Sequence, residues 1–187
     1  MRIIAGEFKG RKLFTPKNDI IRPTSDKVKE AVFSMIAANI VDSVVIDLFS
    51  GTGNLGLEAL SRGAKRCYFV DKSRASMKII LQNIAHCNQD EKAITIIGDF
   101  EKALRKIPEK ADIIFLDPPY EAGLLTDCFY FISELSLLSE GGVIVAEHKN
   151  AESLPDTISG FTKIKEKQYG SIAISIYSAF DLEEDNI

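Results

Sequence analysis

From residue 43 onward the hydrophobic and polar positions predict an alternation of strands and helices. The continuous apolar runs at 43–48 and 111–116 are typical of strands buried on both faces of a parallel sheet. Between such runs, apolar residues recur at the three- and four-residue intervals of helices that pack on a sheet. Further strands are predicted at 66–70, 93–97 and 142–147, and helices at 54–62, 74–87, 99–106 and about 122–138. This order predicts an α/β fold with a mostly parallel, Rossmann-like sheet and helices on both faces.

The two ends of the chain depart from that alternation. At the carboxyl end, the runs 161–168 and 171–178 around Tyr169-Gly170 predict an antiparallel hairpin. At the amino end, two short strands around a glycine-bearing turn predict a β-hairpin, and an amphipathic helix is predicted over 25–39. We therefore divide the chain into a basic hairpin extension, a main domain and an acidic tail, with the bounds 1–23, 24–180 and 181–187.

The charge of the chain is unevenly distributed. The net charge of the 187 residues is −4, but residues 1–30 carry +4 and the remainder −8. A basic end on an acidic body is what a segment that binds a nucleic-acid backbone would look like, although a solvated hairpin without a partner has the same composition.

The remaining composition bears on the compartment and on the chemistry. No apolar run approaches the roughly 20 residues that cross a bilayer, and the first residues become charged too early for a secretory signal. The three cysteines (Cys67, Cys87 and Cys128) include no close pair and have no set of histidines nearby, so we expect no disulfide framework and no metal site. A cytoplasmic protein that does not contact a membrane is the expectation.

A glycine-rich loop follows the first central strand. Gly51, Gly53 and Gly56 form the pattern G-x-G-x-x-G between a strand and a helix, where the absence of side chains lets the backbone approach a ligand. Asp47 precedes the loop, and Asp71 closes the next strand 20 residues after Gly51, where its carboxylate can accept hydrogen bonds from ribose hydroxyls.

Both NAD and S-adenosylmethionine fit this pattern. A dinucleotide would place its pyrophosphate at the helix N-terminus, whereas S-adenosylmethionine carries an ammonium group that Asp47 can help to hold. At the end of the third strand, Asp99 and Phe100 offer adenine a hydrogen-bond acceptor and an apolar face. The carboxylates favour the methyl donor without excluding NAD.

The segment Asp117-Pro118-Pro119-Tyr120 follows the strand at 111–116 and indicates the reaction. The two prolines fix two φ angles and make a rigid corner. An exocyclic amine is a poor nucleophile, and the Asp117 side chain and the Pro118 carbonyl can orient its N–H bonds. Tyr120 can stack on a base that has left its helix. The sequence therefore predicts transfer of a methyl group to an amino group of a nucleic-acid base.

Several segments resemble the RsmD family, the bacterial 16S ribosomal RNA guanine-N2 methyltransferases. The resemblance extends from Arg2 to Gly170, and its most specific part is the N-terminal block. The matching segments are Arg2-Ile3-Ile4-Ala5-Gly6, Lys9-Gly10-Arg11, Arg22-Pro23-Thr24, Asp26–Glu30, Asp47–Gly53, Gly56–Ala64 and Asp117–Tyr120.

This resemblance implies a seven-stranded sheet with an N-terminal hairpin extension. It also implies that the donor is bound by the Asp47–Gly53 loop, including Phe49 and Thr52, together with Asp71 and Asp99. The catalytic segment would be 117–120, and the substrate a guanine of small-subunit ribosomal RNA in an assembled particle. We expect four basic residues to contact RNA phosphates and the protein to act as a monomer without a metal. These residues are Lys9, Arg11, Lys12 and Arg22.

Three alternatives remain open from the sequence. A DNA adenine methyltransferase, or an enzyme for another RNA guanine, would use the same catalytic segment. An NAD-dependent oxidoreductase would explain the glycine loop but not the segment at 117–120, and a non-catalytic RNA-binding module would leave the donor loop unused. His148 is interpreted as a loop histidine, with a role as general base the less favoured reading, and Tyr169 as a packing residue that could line the base pocket.

Overall fold

A computed structural model describes residues 1–16, 26–119 and 123–179. Within these ranges, eight strands form one sheet in the order β3-β2-β1-β4-β5-β8-β7-β6. Strands β1 to β5 are parallel to one another, and β8, β7 and β6 add to the edge at β5 in antiparallel fashion. The strands are β1 (Val44–Leu48), β2 (Arg66–Asp71), β3 (Ala93–Ile97), β4 (Ala111–Leu116), β5 (Leu138–Lys149), β6 (Thr157–Ile158), β7 (Phe161–Tyr169) and β8 (Ile172–Ala179).

The predicted Rossmann-like architecture and its terminal hairpin are confirmed, with one strand more than the seven expected. The additional strand is β6, which has two residues and pairs with the start of β7. Two residues are too few to show a hydrophobic period, so the sequence carries no signal for this strand.

The helices connect the parallel strands and cover both faces of the sheet. They are α1 (Asp26–Met35), α2 (Asn54–Ser61), α3 (Arg74–His86), α4 (Phe100–Leu104) and α5 (Leu124–Glu134), and a short 3-10 helix (Ala37–Asn39) follows α1. The predicted end of α5 near residue 138 is wrong. Ser136 has a φ of 50°, which stops the helix, and Leu138 already pairs with Ala111 as part of β5.

Two apolar layers lie on opposite faces of the sheet. All five residues of β1 are buried, as expected for a central strand covered on both sides. On one face, Phe33 of α1 packs against Phe115 with ring centroids 5.6 Å apart. On the other face, Phe129 of α5 packs against Tyr177 at 4.8 Å. Among the described residues, no helix is long and apolar enough to cross a membrane.

The N-terminal segment, residues 1–16, packs on the α1–α3 face of the sheet. Its hairpin is limited to one antiparallel bridge between Arg2 and Lys12, supported by a 2.9 Å bond from the amide of Ile3 to the carbonyl of Arg11. Ile3, Phe8 and Leu13 are at most 6% exposed and belong to the core on that face. The segment thus contributes to the core of the main domain.

Candidate active site at the carboxyl ends of the strands

The candidate site lies where the strand order reverses. The chain proceeds from β1 to β2 and β3 on one side, whereas β4 and β5 lie on the other side of β1. Ligands of open α/β sheets bind in the crevice at such a switch point, outside the carboxyl ends of the strands. Asp47 lies near the end of β1, Asp71 ends β2, and Asp117 directly follows β4. The fold therefore brings together three carboxylates that are distant in sequence.

The glycine-rich loop between β1 and α2 requires glycine for two different reasons, backbone conformation and close packing. Gly51 and Gly53 have φ angles of 57° and 77°, in the left-handed region where glycine is unstrained. Gly56 is needed for packing instead. A Cβ atom placed there would lie 2.4 Å from the Phe69 ring and 2.6 Å from the Cys67 sulfur. The first two glycines shape the loop, and the third lets α2 lie directly on β2.

Asp47 and Asp71 hold this loop through backbone amides. Oδ2 of Asp47 accepts a 2.9 Å hydrogen bond from the amide of Gly56, and Oδ2 of Asp71 accepts one of the same length from Gly51. Oδ1 of Asp71 also accepts from the amide of Ser73 at 2.7 Å. A carboxylate has about four acceptor positions, so both side chains retain capacity for ligand hydroxyl or ammonium groups.

The electrostatics of the crevice favour a cationic ligand. Asp47 is 2% exposed, and burial raises its pKa to about 7, helped by the nearby charges of Asp117 and Asp71. Burial also raises the pKa of Asp117 to about 6. Carboxylates that lack enough water or counter-charge are stabilised in their ionised form by a positive group. The sulfonium and ammonium groups of S-adenosylmethionine are of this kind.

Two aromatic side chains predicted to bind the donor lie in contact. Phe49, with a φ of 67°, packs its ring 5.9 Å from that of Phe100, and Phe100 in turn contacts Phe131 of α5 at 5.8 Å. Asp99 precedes α4, is exposed and forms no side-chain hydrogen bond to that helix. An acceptor beside partly buried rings is the arrangement expected for an adenine site.

The rigid corner after β4 is described as far as Pro119. Asp117 is partly exposed as a residue although its carboxyl group is enclosed by protein, Pro118 is buried and Pro119 is exposed. Tyr120 lies outside the described residues, so its stacking role stays a prediction.

Thr52 is buried, and its hydroxyl and carbonyl are both hydrogen-bonded within the protein. Its hydroxyl donates to the Met1 sulfur at 3.1 Å, and its carbonyl accepts a 2.9 Å hydrogen bond from Asn83. Thr52, which was predicted to bind the donor, thus contacts the N-terminal segment and α3.

Two of the predicted RNA-binding residues, Lys9 and Arg11, lie near the last residues of α2 and α3. The turn that carries Lys9 packs on Ser61, the last residue of α2, and Arg11 donates to the carbonyl of His86, the last residue of α3, at 2.6 Å. Both helices begin at the crevice and run back along the sheet. Lys9 and Lys12 are exposed, whereas Arg11 is partly buried, and Arg22 lies outside the described residues.

A buried ion pair, which was not predicted from the sequence, joins the N-terminal segment to α1 and α2. Glu58 is fully buried, and its two oxygens accept hydrogen bonds from Lys29, Arg62 and the amides of Ile4 and Ala5, at 2.8 to 2.9 Å. The signal was a charged residue within the apolar run of α2 at 55–60. Lys29 contributes to the positive charge of residues 1–30, but it is 1% exposed and is therefore not available to RNA.

Asn83 is a second buried polar residue that the sequence reading missed. It is fully buried and contacts both Thr52 and Phe14. It lies between Ile80 and Ile84 on the apolar face of α3. A polar residue on the apolar face of an amphipathic helix is the feature of the sequence that could have indicated a buried hydrogen-bonding role.

The interpretation of His148 as a loop residue is wrong. His148 lies within β5 and is 2% exposed, because the antiparallel pairing with β8 extends this strand to Lys149. Its Nε2 lies 2.9 Å from the hydroxyl of Ser175, which donates to Glu166 at 3.0 Å. Tyr169 ends β7, is partly buried and packs against the core.

Comparison with known proteins agrees with this geometry. Residues 1–178 match the model of a family described as conserved hypothetical protein 95. The chain is 37% identical to "Putative rRNA methyltransferase YlbH" of Bacillus subtilis, covering 95% of this chain and 98% of that protein. It is 32% identical to "Ribosomal RNA small subunit methyltransferase D" of Escherichia coli, covering 95% and 89% respectively. The structure of yhhF of Escherichia coli, described as a "putative methyltransferase", superposes with a TM-score of 0.85 at 31% identity and covers 95% and 96%.

The strand order and the crevice, together with these relatives, define a methyltransferase with a Rossmann-like fold. Within this class the chain belongs to the RsmD family, whose model covers nearly its whole length. The resemblance found in the sequence is thereby confirmed.

Proposed function

We propose that this protein transfers a methyl group from S-adenosylmethionine to the exocyclic N2 amine of a guanine in small-subunit ribosomal RNA, within an assembled particle. The observation that carries the proposal is the meeting of Asp47, Asp71 and Asp117 at the switch point of a methyltransferase sheet. Family membership supports ribosomal RNA as the substrate, since the curated relatives are named for it.

The residues present fit the methyl donor. Gly51 and Gly53 leave room for a ligand to approach the backbone, and Asp71 can accept hydrogen bonds from ribose hydroxyls. Buried Asp47 suits the positive charge, and Asp99 with Phe100 suits adenine. When bound, the donor supplies an electrophilic methyl group on a sulfonium.

The corner at 117–119 positions the acceptor amine. The Asp117 carboxylate and the Pro118 carbonyl accept hydrogen bonds from its N–H groups, which directs the nitrogen lone pair toward the methyl carbon. Methyl transfer would form the N–C bond as the S–C bond of the donor breaks, and the proton that the amine gives up would pass to the Asp117 carboxylate that accepts its hydrogen bond. The contribution of the protein is mainly the alignment of the two reactants, which is worth several kcal/mol of the barrier, at most about 11.

The proposed RNA contacts imply an extended substrate. Lys9 lies in the turn that packs on Ser61, the last residue of α2, a helix that begins at the crevice and is roughly 12 Å long, and Lys12 is exposed on the same segment. An RNA that reaches both the crevice and these lysines runs along the outer side of the N-terminal segment. Such a footprint favours a folded RNA or a ribonucleoprotein particle over a short strand.

The test is a methylation assay with small subunits from cells that lack this gene. The protein is incubated with isotopically labelled donor and either particles or protein-free RNA, and digested nucleosides are identified by mass spectrometry. Labelled N2-methylguanosine from particles is expected. The Asp117→Ala variant should lose turnover but retain donor affinity within a few-fold, and Asp90→Ala, at an exposed position, should behave as wild type. Label on adenine, or none on RNA, would contradict the proposal.

A further inference from the structure

The side chain of Asn83 connects the donor loop with the N-terminal segment. Its Nδ2 donates to the carbonyl oxygens of Thr52 at 2.9 Å and Phe14 at 3.1 Å. Its Oδ1 accepts from the amide of Phe14 at 2.7 Å. One buried amide therefore binds both polar groups of the Phe14 backbone and also the loop residue that precedes Gly53.

The other end of the N-terminal segment contacts the same loop. The Met1 sulfur accepts from the Thr52 hydroxyl at 3.1 Å. Lys29 donates to the carbonyl of Arg2 at 2.6 Å and to Oδ1 of Asn54 at 2.8 Å. Residues near both ends of the segment are thus tied to Thr52 and Asn54, the two residues on either side of Gly53.

We propose that Asn83 is a positioning residue through which donor binding orders the N-terminal segment, so that donor and RNA strengthen each other's binding. The inference rests on the proposed function, which places the donor at the glycine loop and RNA on the N-terminal segment. None of these contacts requires Asn83 to touch either ligand.

The physical basis is the cost of breaking a buried hydrogen-bond network. Moving the loop without the segment would leave the Thr52 carbonyl or the Asn83 amide unpaired away from water, which is expensive. The loop and the segment therefore shift together. Because coupling between two binding sites is reciprocal, RNA should tighten donor binding by the factor by which the donor tightens RNA binding.

The first experiment needs no variant. Amide hydrogen exchange is measured in wild-type protein with and without S-adenosylhomocysteine, the demethylated donor. Exchange at Phe14, Ile4 and Ala5 should slow by a larger factor than at amides of the β7–β8 hairpin, which report only global stabilisation by the ligand. Equal slowing in both regions would overturn the inference.

The second experiment measures the coupling directly. The affinity for S-adenosylhomocysteine is determined with and without small-subunit particles, and in wild type we expect the particles to tighten binding about five-fold or more. Asn83→Asp retains the acceptor for the amide of Phe14 but cannot donate to either carbonyl. In this variant the factor by which particles tighten the binding of S-adenosylhomocysteine should therefore fall towards one. Gln82→Glu adds the same charge at the adjacent exposed position and should retain the coupling.

The outcomes separate this inference from the proposed function. If S-adenosylhomocysteine fails to bind wild-type protein, the proposed function fails and the inference with it. If it binds and wild-type protein shows no coupling, or Asn83→Asp retains it, only the inference fails. If Asn83→Asp does not fold, the exchange measurement on wild type decides.

Discussion

The ammonium group of Lys29 lies 2.9 Å from Oε2 of Glu58, and both side chains are at most 1% exposed. Burial lowers the pKa of Lys29, and the contact with Glu58 opposes this shift. Glu58 also accepts hydrogen bonds from Arg62 and from two amides of the N-terminal segment. The pair therefore joins α1, α2 and the start of the chain at one carboxylate.

Removing that carboxylate should destabilise the protein strongly. Glu58→Ala leaves the buried Lys29 ammonium without its counter-charge and the partly buried amides of Ile4 and Ala5 without their acceptor, and we expect a loss of about 3–5 kcal/mol in the free energy of unfolding. Lys29→Met should cost less, because Glu58 keeps three donors. Denaturant unfolding of both variants measures the difference.

The control for this prediction is Glu30→Ala. Glu30 pairs with Arg62 at 3.2 Å but is half exposed, so its loss should cost no more than about 1 kcal/mol. Equal losses for Glu58→Ala and Glu30→Ala would show that the buried pair has no special role.

The pH dependence of stability should report on Asp47. Its pKa in the folded protein is about 7, above its ordinary value of 3.8. A raised pKa means that the stability contributed by the protonated form is present at low pH and is lost as the pH rises through the folded pKa. As the pH rises from about 5 to about 8, the ionisation of Asp47 should therefore lower the free energy of unfolding by on the order of 3 kcal/mol.

Asp47→Asn removes this ionisation and keeps an acceptor for the amide of Gly56. The variant should therefore lose less stability than wild type over that pH range, as measured by denaturant unfolding at several pH values. Asp117, with its pKa raised to about 6, contributes in the same direction in both proteins. Asp90→Asn, at an exposed position, should follow the wild-type curve, and parallel curves for Asp47→Asn and wild type would count against the burial argument.

The packing of α2 on β2 predicts the effect of a single methyl group. Gly56→Ala places a Cβ atom 2.4 Å from the Phe69 ring, and a clash of this kind costs about 1–3 kcal/mol or more. Phe69→Leu makes room at the cost of a cavity. Because both changes act on the same contact, the double variant should lose less stability than the sum of the single variants, which a double-mutant cycle in denaturant would show. Additive losses would mean that the clash is relieved elsewhere.

The sequence predicts those features of this protein that depend on local pattern. The strand at 111–116 and the loop at 51–56 follow from continuous apolar runs and from glycine spacing, and the structure has both. It does not predict contacts that depend on tertiary placement. Glu58 and Asn83 gain their roles only when the N-terminal segment packs on α2 and α3, and β5 extends to His148 only because β8 pairs with it.

The exposed lysines of the N-terminal segment should govern the salt dependence of substrate binding. Neutralising Lys9, Arg11 and Lys12 together should weaken binding to small-subunit particles and flatten the log–log salt slope by roughly two units, since each phosphate contact releases counterions worth about 0.7–0.9 units. Arg11 already donates to the carbonyl of His86, so Lys9 and Lys12 should account for most of the change. The donor affinity of the isolated protein should stay unchanged, because these side chains lie outside the glycine loop and its acidic partners. Neutralising the exposed Lys106 and Lys110 provides a control with two charges removed from another surface. A slope that is the same in all three proteins would rule out phosphate contacts at this segment.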